Sequence, residues 1–243
     1  MPEGPSIVIL REALAPFCGK KVLEVSGNSS LDIARMKGKK ILDIKSWGKQ
    51  LLICFPGFAL RVHFLLFGTY RINERKDMPP RLQLQFRNGE VNFYTSSLRF
   101  IEEPLDEVYD WSADVLSPAF DRSKAMAKLR KQTDTLVCDV LLNQDIFAGV
   151  GNIIKNEVLF RIRVHPRSLT GKLPLQQRKL LVKEAVQYSF DFLEWKKAFV
   201  LKKHWLIHTK KICPRCGIPA VKEYMGTTQR RTFFCENCQV EYR

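Results

Sequence analysis

Two pairs of cysteines near the end of the chain constrain its folding more than any other feature. Cys213 and Cys216 form one C-x-x-C pair, Cys235 and Cys238 form the other, and residues 217–234 separate them. Each pair fits a tight knuckle, and four thiolates match the tetrahedral coordination of a structural zinc ion. Because cysteine fills all four positions, none is left for a reactive water. The spacing predicts one structural Zn²⁺ in a small metal-bound tail.

The chain also carries a large excess of positive charge. Its 243 residues include 40 Lys and Arg against 25 Asp and Glu, a formal net charge of +15. This excess favours a polyanionic partner, nucleic acid first and an anionic membrane second. Since the sequence has no apolar run of membrane-spanning length and no long amphipathic basic helix, we expect nucleic acid and no membrane.

Cysteine usage bears on the compartment. Cys18, Cys54 and Cys138 lie apart in apolar stretches, and the total of seven is odd. This pattern favours a reducing compartment over a disulfide framework. The N-terminus lacks a basic-then-apolar signal layout. We therefore expect a cytoplasmic, monomeric protein, of a kind that suits the nucleoid of a bacterial cell.

Hydrophobic periodicity divides the chain. After a short helix at 6–15, alternation with a period of two predicts strands at 21–26, 40–45, 50–55, 59–65, 69–73, 81–87, 90–94 and 98–102. Asn88-Gly89 predicts a type I′ hairpin turn between two of them. Many short strands with close turn signals indicate an antiparallel β-sandwich.

The rest of the chain is predicted to be helical. Helical patterns cover 117–130, 136–141, 152–162 and 175–195, after a patternless linker at 104–116. The fold class is therefore α+β and multidomain. We predict an N-terminal β-sandwich domain at 1–104, a helical domain at 105–210 and a four-cysteine zinc finger at 211–243.

The first residues, Met1-Pro2-Glu3-Gly4-Pro5, permit covalent chemistry. If Met1 is removed, Pro2 carries a free secondary amine, and an α-amino group has a pKa of about 8 against about 10.4 for lysine. A neutral amine beside Glu3 could attack an aldehyde-like carbon and form an iminium. The alternative is that both prolines only shape a helix start. These residues alone favour that alternative.

Four other positions allow two interpretations each. Asn152, after Gly149-Val150-Gly151, begins a helix and could cap it or bind a phosphate. Lys49 at a turn and His63 on a strand, facing away from Val62 and Phe64, could be solvated or functional. Leu66, within Leu65-Leu66-Phe67, could pack at the edge of the core or enter a base stack.

Taken together, these features resemble the formamidopyrimidine-DNA glycosylase/endonuclease VIII family of base-excision repair enzymes. The stretches that carry the resemblance are 1–5, Trp47 to Leu52, Leu142 to Ile154, Asn156 to Arg161 with His165-Pro166, and Gln229 to Cys235 with Cys238-Gln239. They occur in the family's order across nearly the whole chain. The resemblance implies a helix-two-turn-helix in the helical domain.

The resemblance also implies a bifunctional glycosylase and abasic-site lyase that acts on damaged DNA. In that family the N-terminal proline attacks C1′, and β- and δ-elimination then cut the strand. The carried-over roles are Pro2 as nucleophile, Glu3 as acid/base, Lys49 as a phosphate contact that assists catalysis, and His63, Asn152 and Arg230 as phosphate contacts. Flipping a base out of the duplex requires such a hold on the backbone.

Three departures bear on the substrate. Ser6 stands where most members have glutamate, Leu98-Arg99-Phe100 lacks the arginine that the guanine-specific branch inserts, and residues 192–212 leave little room for its capping loop. The contiguous apolar loop around Leu66 resembles the endonuclease VIII branch. We expect oxidised pyrimidines and hydantoins as substrates. The alternatives are a non-catalytic binder of lesions or abasic sites and a general zinc-ribbon module.

Overall fold

The computed structural model describes residues 2–243 and divides into two compact units, one ending at Tyr109 and the other beginning at Asp110. The predicted boundaries at 104/105 and 210/211 stay predictions. Among the described residues, no helix is both long and apolar enough to cross a membrane.

The first unit begins with a helix and continues with antiparallel strands. Its elements are α1 (Gly4–Ala13), a 3-10 turn (Ala15–Phe17), β1 (Glu24–Ser26), a 3-10 turn (Ile33–Met36), β2 (Asp43–Trp47), β3 (Gln50–Phe55), β4 (Phe58–Ile72), β5 (Leu82–Phe86), β6 (Gly89–Ile101) and α2 (Leu105–Val108). The strands form one antiparallel sheet in the order β1-β5-β6-β4-β3-β2.

A single apolar core organises this unit. Strands β1 and β2 lie at opposite edges of the sheet, yet Val25 and Ile44 pack against the same core. The sheet therefore folds over that core, as the predicted β-sandwich requires. Ile7 and Leu10 of α1 and Leu14 at its C-cap are also part of it, at a spacing of three and four residues. The predicted N-terminal helix is confirmed.

The predicted strand count was wrong. The patterns at 59–65 and 69–73 belong to one continuous strand, β4, and those at 90–94 and 98–102 belong to β6. The β4–β6 register shifts between Phe64 and Thr69. This irregularity interrupts the alternation without ending either strand, so the sequence pattern suggests two strands where the backbone forms one.

The β5–β6 hairpin is present, but its turn is not the predicted type I′ turn. Phe86 pairs with Gly89, so Arg87 and Asn88 are the turn residues. The positive φ of +139° falls on Gly89, and a side chain there would collide with the carboxamide of Asn73. The glycine therefore serves the close approach of Asn73, whose Oδ1 accepts a hydrogen bond from the Glu90 amide at 2.9 Å.

The second unit is helical and ends in a two-stranded hairpin. Its elements are 3-10 turns at Trp111–Ala113, Thr170–Lys172 and Leu201–His204, the helices α3 (Arg122–Arg130), α4 (Val137–Val140), α5 (Gln144–Phe147), α6 (Asn152–Arg161) and α7 (Leu175–Lys197), and the strands β7 (Val221–Met225) and β8 (Arg230–Phe234). Helix α3 begins later than predicted because Asp121 caps it, accepting hydrogen bonds from the amides of Ser123 and Lys124. The short α2 and α5 were not predicted as helices.

Helix α6 is the centre of this unit. Ile154, Val158 and Leu159 are fully buried in a core shared with α3, α7 and the hairpin residues Met225 and Phe234. An isolated helix as short as the ten-residue α6 is unstable in water, so α6 depends on this packing for its stability. The core therefore fixes both ends of α6, on which several candidate site residues depend.

Candidate nucleic-acid interface and metal centre

The chain start combines a half-buried proline with a buried glutamate. Pro2 is half-buried, and Glu3 directly after it is 4% exposed. Glu3 is the N-cap of α1, and its carbonyl accepts the Ser6 amide at 2.8 Å. Because α1 packs into the apolar core of the first unit, it fixes the position of Glu3 and of the adjacent Pro2. The predicted removal of Met1 concerns a residue outside the described range.

Lys49 and His63 come together at the end of the β2–β3 hairpin. Trp47 pairs with Gln50, so Gly48 and Lys49 form the turn, and Gly48 has a φ of +53°. His63 of β4 pairs with Gln50, and its Nδ1 lies 3.3 Å from the Lys49 carbonyl oxygen. The hairpin register thus places two predicted site residues side by side.

Burial and charge act on His63. Burial lowers its pKa, the positive charges of Arg61 and Lys49 lower it further, and the backbone contact with Lys49 opposes them. Val62 and Phe64 are buried, so His63 faces away from the core as predicted. A neutral imidazole in positive surroundings gains a proton more readily once an anion lies nearby.

An arginine pair on the same face was missed by the sequence reasoning. Arg61 on β4 lies directly opposite Arg99 on β6, and within residues 2–243 neither has a carboxylate within 4 Å. Among residues 2–243, the buried Nε of Arg61 has no hydrogen-bond partner. Like charges directly opposite each other destabilise a sheet. Alternation alone puts Arg61 on the His63 face, but only the strand register reveals Arg99 beside it.

The apolar loop around Leu66 is exposed. Leu65, Leu66 and Phe67 are 47%, 59% and 78% exposed and lie where the β4–β6 register shifts. Side chains this exposed do not fit the interpretation that Leu66 packs at the edge of the core.

In the second unit, Asn152 and Arg230 occupy one neighbourhood. Asn152 is the first residue of α6 and makes no capping hydrogen bond; its Nδ2 instead donates to the Arg231 carbonyl at 2.7 Å. Its Oδ1 is buried without a partner. Arg230, next to Arg231, is exposed at the start of β8. The capping alternative for Asn152 is therefore wrong.

Buried polar residues of α6 fix the surrounding segments. Lys155 is 1% exposed, and its Nζ donates to Thr232 Oγ1 of β8 at 2.7 Å. Glu157 is fully buried and accepts the amides of three consecutive residues at 2.8–3.0 Å, namely Leu206, Ile207 and His208. No sequence pattern predicts these contacts, because their partners lie far along the chain.

The four cysteines meet as predicted. Their Sγ atoms all lie within 4.8 Å of one another, with Cys213–Cys238 at 3.8 Å and Cys216–Cys235 at 3.5 Å. A tetrahedral site with Zn–S bonds of about 2.3 Å requires sulfur–sulfur distances of about 3.8 Å. These residues therefore fit a closed metal site. Arg215, inside the first pair, donates to the Phe160 carbonyl at 2.6 Å and so attaches the site to α6.

Comparison with known proteins agrees with these arrangements. The formamidopyrimidine-DNA glycosylase N-terminal domain matches residues 1–102, and the formamidopyrimidine-DNA glycosylase H2TH domain matches residues 112–197. Endonuclease 8-like 3 of Xenopus laevis is 31% identical over 98% of this chain and 40% of its own length. The chain spans only 34–40% of the Endonuclease 8-like 3 relatives.

Other relatives match over most of their length, and solved structures share the fold. Endonuclease 8-like 2 of Mus musculus is 36% identical over 98% of this chain and 96% of its own length. A Lactococcus lactis formamidopyrimidine-DNA glycosylase, solved non-covalently bound to DNA containing an abasic site, superposes with a TM-score of 0.85 at 23% identity, over 98% of this chain and all of its own. A viral DNA glycosylase gives 0.84 at 18%, over the same shares of the two chains. The chain therefore belongs to the formamidopyrimidine-DNA glycosylase/endonuclease VIII family, in its endonuclease VIII-like branch.

Proposed function

We propose that this protein is a bifunctional DNA glycosylase and abasic-site lyase that removes oxidised bases, pyrimidines in preference to 8-oxoguanine. The observation that carries the proposal is the placement of Pro2 beside the buried Glu3 at the start of α1. A DNA-binding module has no use for an accessible N-terminal amine next to a buried carboxylate.

In the proposed reaction the neutral Pro2 nitrogen attacks C1′ of the damaged nucleotide. The bond between C1′ and the base breaks, and the base leaves with the bonding electrons. The Pro2 nitrogen, which is positively charged after the attack, gives its proton to the departing base. The C1′–O4′ bond then breaks with its electrons going to O4′, Glu3 protonates O4′, and the nitrogen lone pair forms the iminium double bond with C1′. Loss of a proton from C2′ then expels the 3′ phosphate, and a second elimination expels the 5′ phosphate.

We assign the remaining residues to DNA binding. Lys49 and His63 would bind phosphates at the lesion, and Leu66 with its neighbours would fill the gap left by the extruded base. The Arg61–Arg99 pair has the charge for a further phosphate, which would relieve the repulsion between the two guanidinium groups. In the second unit, Asn152 and Arg230 would bind phosphates through N–H donors, from the Nδ2 group of Asn152 and the exposed guanidinium of Arg230. The Oδ1 of Asn152 only accepts hydrogen bonds and takes no part in phosphate binding.

The metal in this proposal is Zn²⁺, held by Cys213, Cys216, Cys235 and Cys238. It supplies no chemistry to the reaction and serves to hold β7 and β8. The lesion preference rests on the apolar loop at Leu66 and on the short segment after α7. Ser6 is half-buried beside Glu3 and provides no second carboxylate.

The decisive test is borohydride trapping on a duplex that carries an abasic site. The protein without Met1 should form a covalent adduct. The same chain produced with Met1 retained should form none, because its Pro2 nitrogen is an amide. Pro16→Ala, at an exposed proline remote from the chain start, serves as the control and should react normally. Binding without adduct formation by the processed protein would instead identify a non-catalytic lesion binder.

A further inference from the structure

An aromatic residue, Phe199, follows the end of helix α7. Its backbone conformation costs the protein stability, and its exposed side chain gains no packing in return. Phe199 is 95% exposed, and its φ of +59° lies in the left-handed region. Bulky side chains disfavour that region, and glycine is the residue usually found there. Single exposed apolar residues are common, but here exposure and backbone strain fall on one residue.

The hydrogen bonds show that this conformation is specific. The Val200 amide donates to the Trp195 carbonyl at 2.9 Å, and the Phe199 amide donates to that of Lys196 at 3.1 Å. This pair of bonds is a Schellman motif with Phe199 at the position after the cap. The motif fixes the direction in which Phe199 points.

The segment that follows is held in place as well. The rings of Trp195 and His204 stack with centroids 4.0 Å apart and 1° between their planes. Arg161 Nη2 donates to the His204 carbonyl at 3.2 Å. Leu201 packs against the helical core. The apolar neighbours Trp195, Val200 and Leu201 are thus half-buried, whereas Phe199 extends into solvent.

The charge around Phe199 identifies the kind of ligand. Four lysines flank it within the same segment, Lys196, Lys197, Lys202 and Lys203. Lys202 and Lys203 are exposed, and within residues 2–243 neither has a carboxylate within 4 Å. An aromatic platform among cations is the arrangement by which proteins bind single-stranded nucleic acid, with bases on the ring and phosphates on the cations.

We propose that Phe199 stacks on an unpaired nucleobase of DNA while the flanking lysines bind the adjacent phosphates. This inference rests on the proposed function, which supplies the DNA, and adds a site for a single-stranded segment. It involves no residue of the proposed reaction.

The test is binding of the full chain to an undamaged single-stranded oligonucleotide that contains 2-aminopurine, whose fluorescence falls on stacking. Phe199→Gly should weaken binding by at least about fivefold, since each stacked base contributes about 1–3 kcal/mol. It should also leave the Tm unchanged or raise it by a few degrees, because glycine suits the left-handed position. Phe199→Trp should keep the affinity and the quenching.

The control is Phe190→Ala, which removes a 42% exposed phenylalanine from the same helix and should change neither quantity. An unchanged affinity in Phe199→Gly, or a lower Tm that accounts for the loss of binding, would overturn the proposal. So would Phe199-dependent binding to phosphatidylserine vesicles with unchanged DNA affinity. Failure of abasic-site trapping with intact Phe199-dependent binding would refute the proposed function alone.

Discussion

The buried carboxylate of Glu157 offers the sharpest test of how α6 organises the second unit. Its two oxygens accept four hydrogen bonds from the amides of Leu206, Ile207 and His208. It also lies 3.8 Å from Arg161. Glu157→Gln keeps the shape of the side chain but removes the charge, and it places an NH₂ group where an oxygen accepts the Leu206 amide.

The expected loss in the free energy of unfolding follows from these contacts. Hydrogen bonds to charged groups contribute about 1.5–3 kcal/mol each. The oxygen that remains accepts from all three amides, so the loss comes from the missing charge and from the new NH₂ group that faces the Leu206 amide, and we expect about 2–4 kcal/mol rather than the sum over all bonds. In a protein of this size, this corresponds to a fall in Tm of roughly 4–15 °C.

Thermal unfolding gives the global effect, and amide hydrogen exchange at residues 206–208 locates it. Glu184→Gln is the matched control, because Glu184 lies 3.9 Å from the same Arg161 and is half-buried, but within residues 2–243 its carboxylate accepts no hydrogen bond from a backbone amide. It should cost under about 1 kcal/mol. A Tm for Glu157→Gln within 1 °C of the control, with unchanged exchange at the three amides, would refute the reasoning.

Three further predictions concern pH, salt and metal. Burial and the charges of Arg231 and Lys155 lower the pKa of His208 to about 4. Because the unfolded state takes up the proton first as the pH falls, the free energy of unfolding should decrease by up to about 3 kcal/mol between about pH 6.5 and pH 4. His208→Gln should flatten that part of a series of denaturation curves recorded against pH. Arg230→Ala should reduce the salt slope of DNA binding by about one, with Arg87→Ala at the β5–β6 turn as control; an unchanged slope would contradict the assignment of a phosphate to Arg230. Removal of the metal by a chelator should disorder β7 and β8 and weaken DNA binding. If protein that metal analysis shows to be metal-free bound DNA with full affinity, the four cysteines would be dispensable for DNA binding.

Local patterns predicted much of what depends on residues close together in sequence. The start of α6 at Asn152, the antiparallel strands of the first unit and the cysteine cluster are confirmed by the structure, apart from the number of strands and the type of the turn at Asn88-Gly89. Contacts between distant segments were not predictable in this way. The Arg61–Arg99 pair depends on a strand register, and the amides bound by Glu157 follow a helix and a turn whose geometry the sequence does not specify.

The same limit explains the errors. Alternation breaks at residues 65–68, so β4 was predicted as two strands, although the partner strand β6 continues past the irregularity. The capping alternative for Asn152 was wrong because a sequence does not show that the Arg231 carbonyl lies within reach of its Nδ2, while its role as a phosphate contact stays a prediction. The conformation of Phe199 was likewise invisible, since glycine is the residue that signals a left-handed helix end.

Helix α6 carries four polar anchors along a single stretch: Asn152 to β8, Lys155 to Thr232, Asn156 to His208 and Glu157 to the amides after α7. Each residue added to a helix rotates everything beyond it by about 100°. One insertion or deletion within α6 would therefore misdirect several anchors at once, and no single compensating substitution could restore them. In lineages descended from this protein, length changes should accumulate in the connecting loops, while α6 keeps its number of residues.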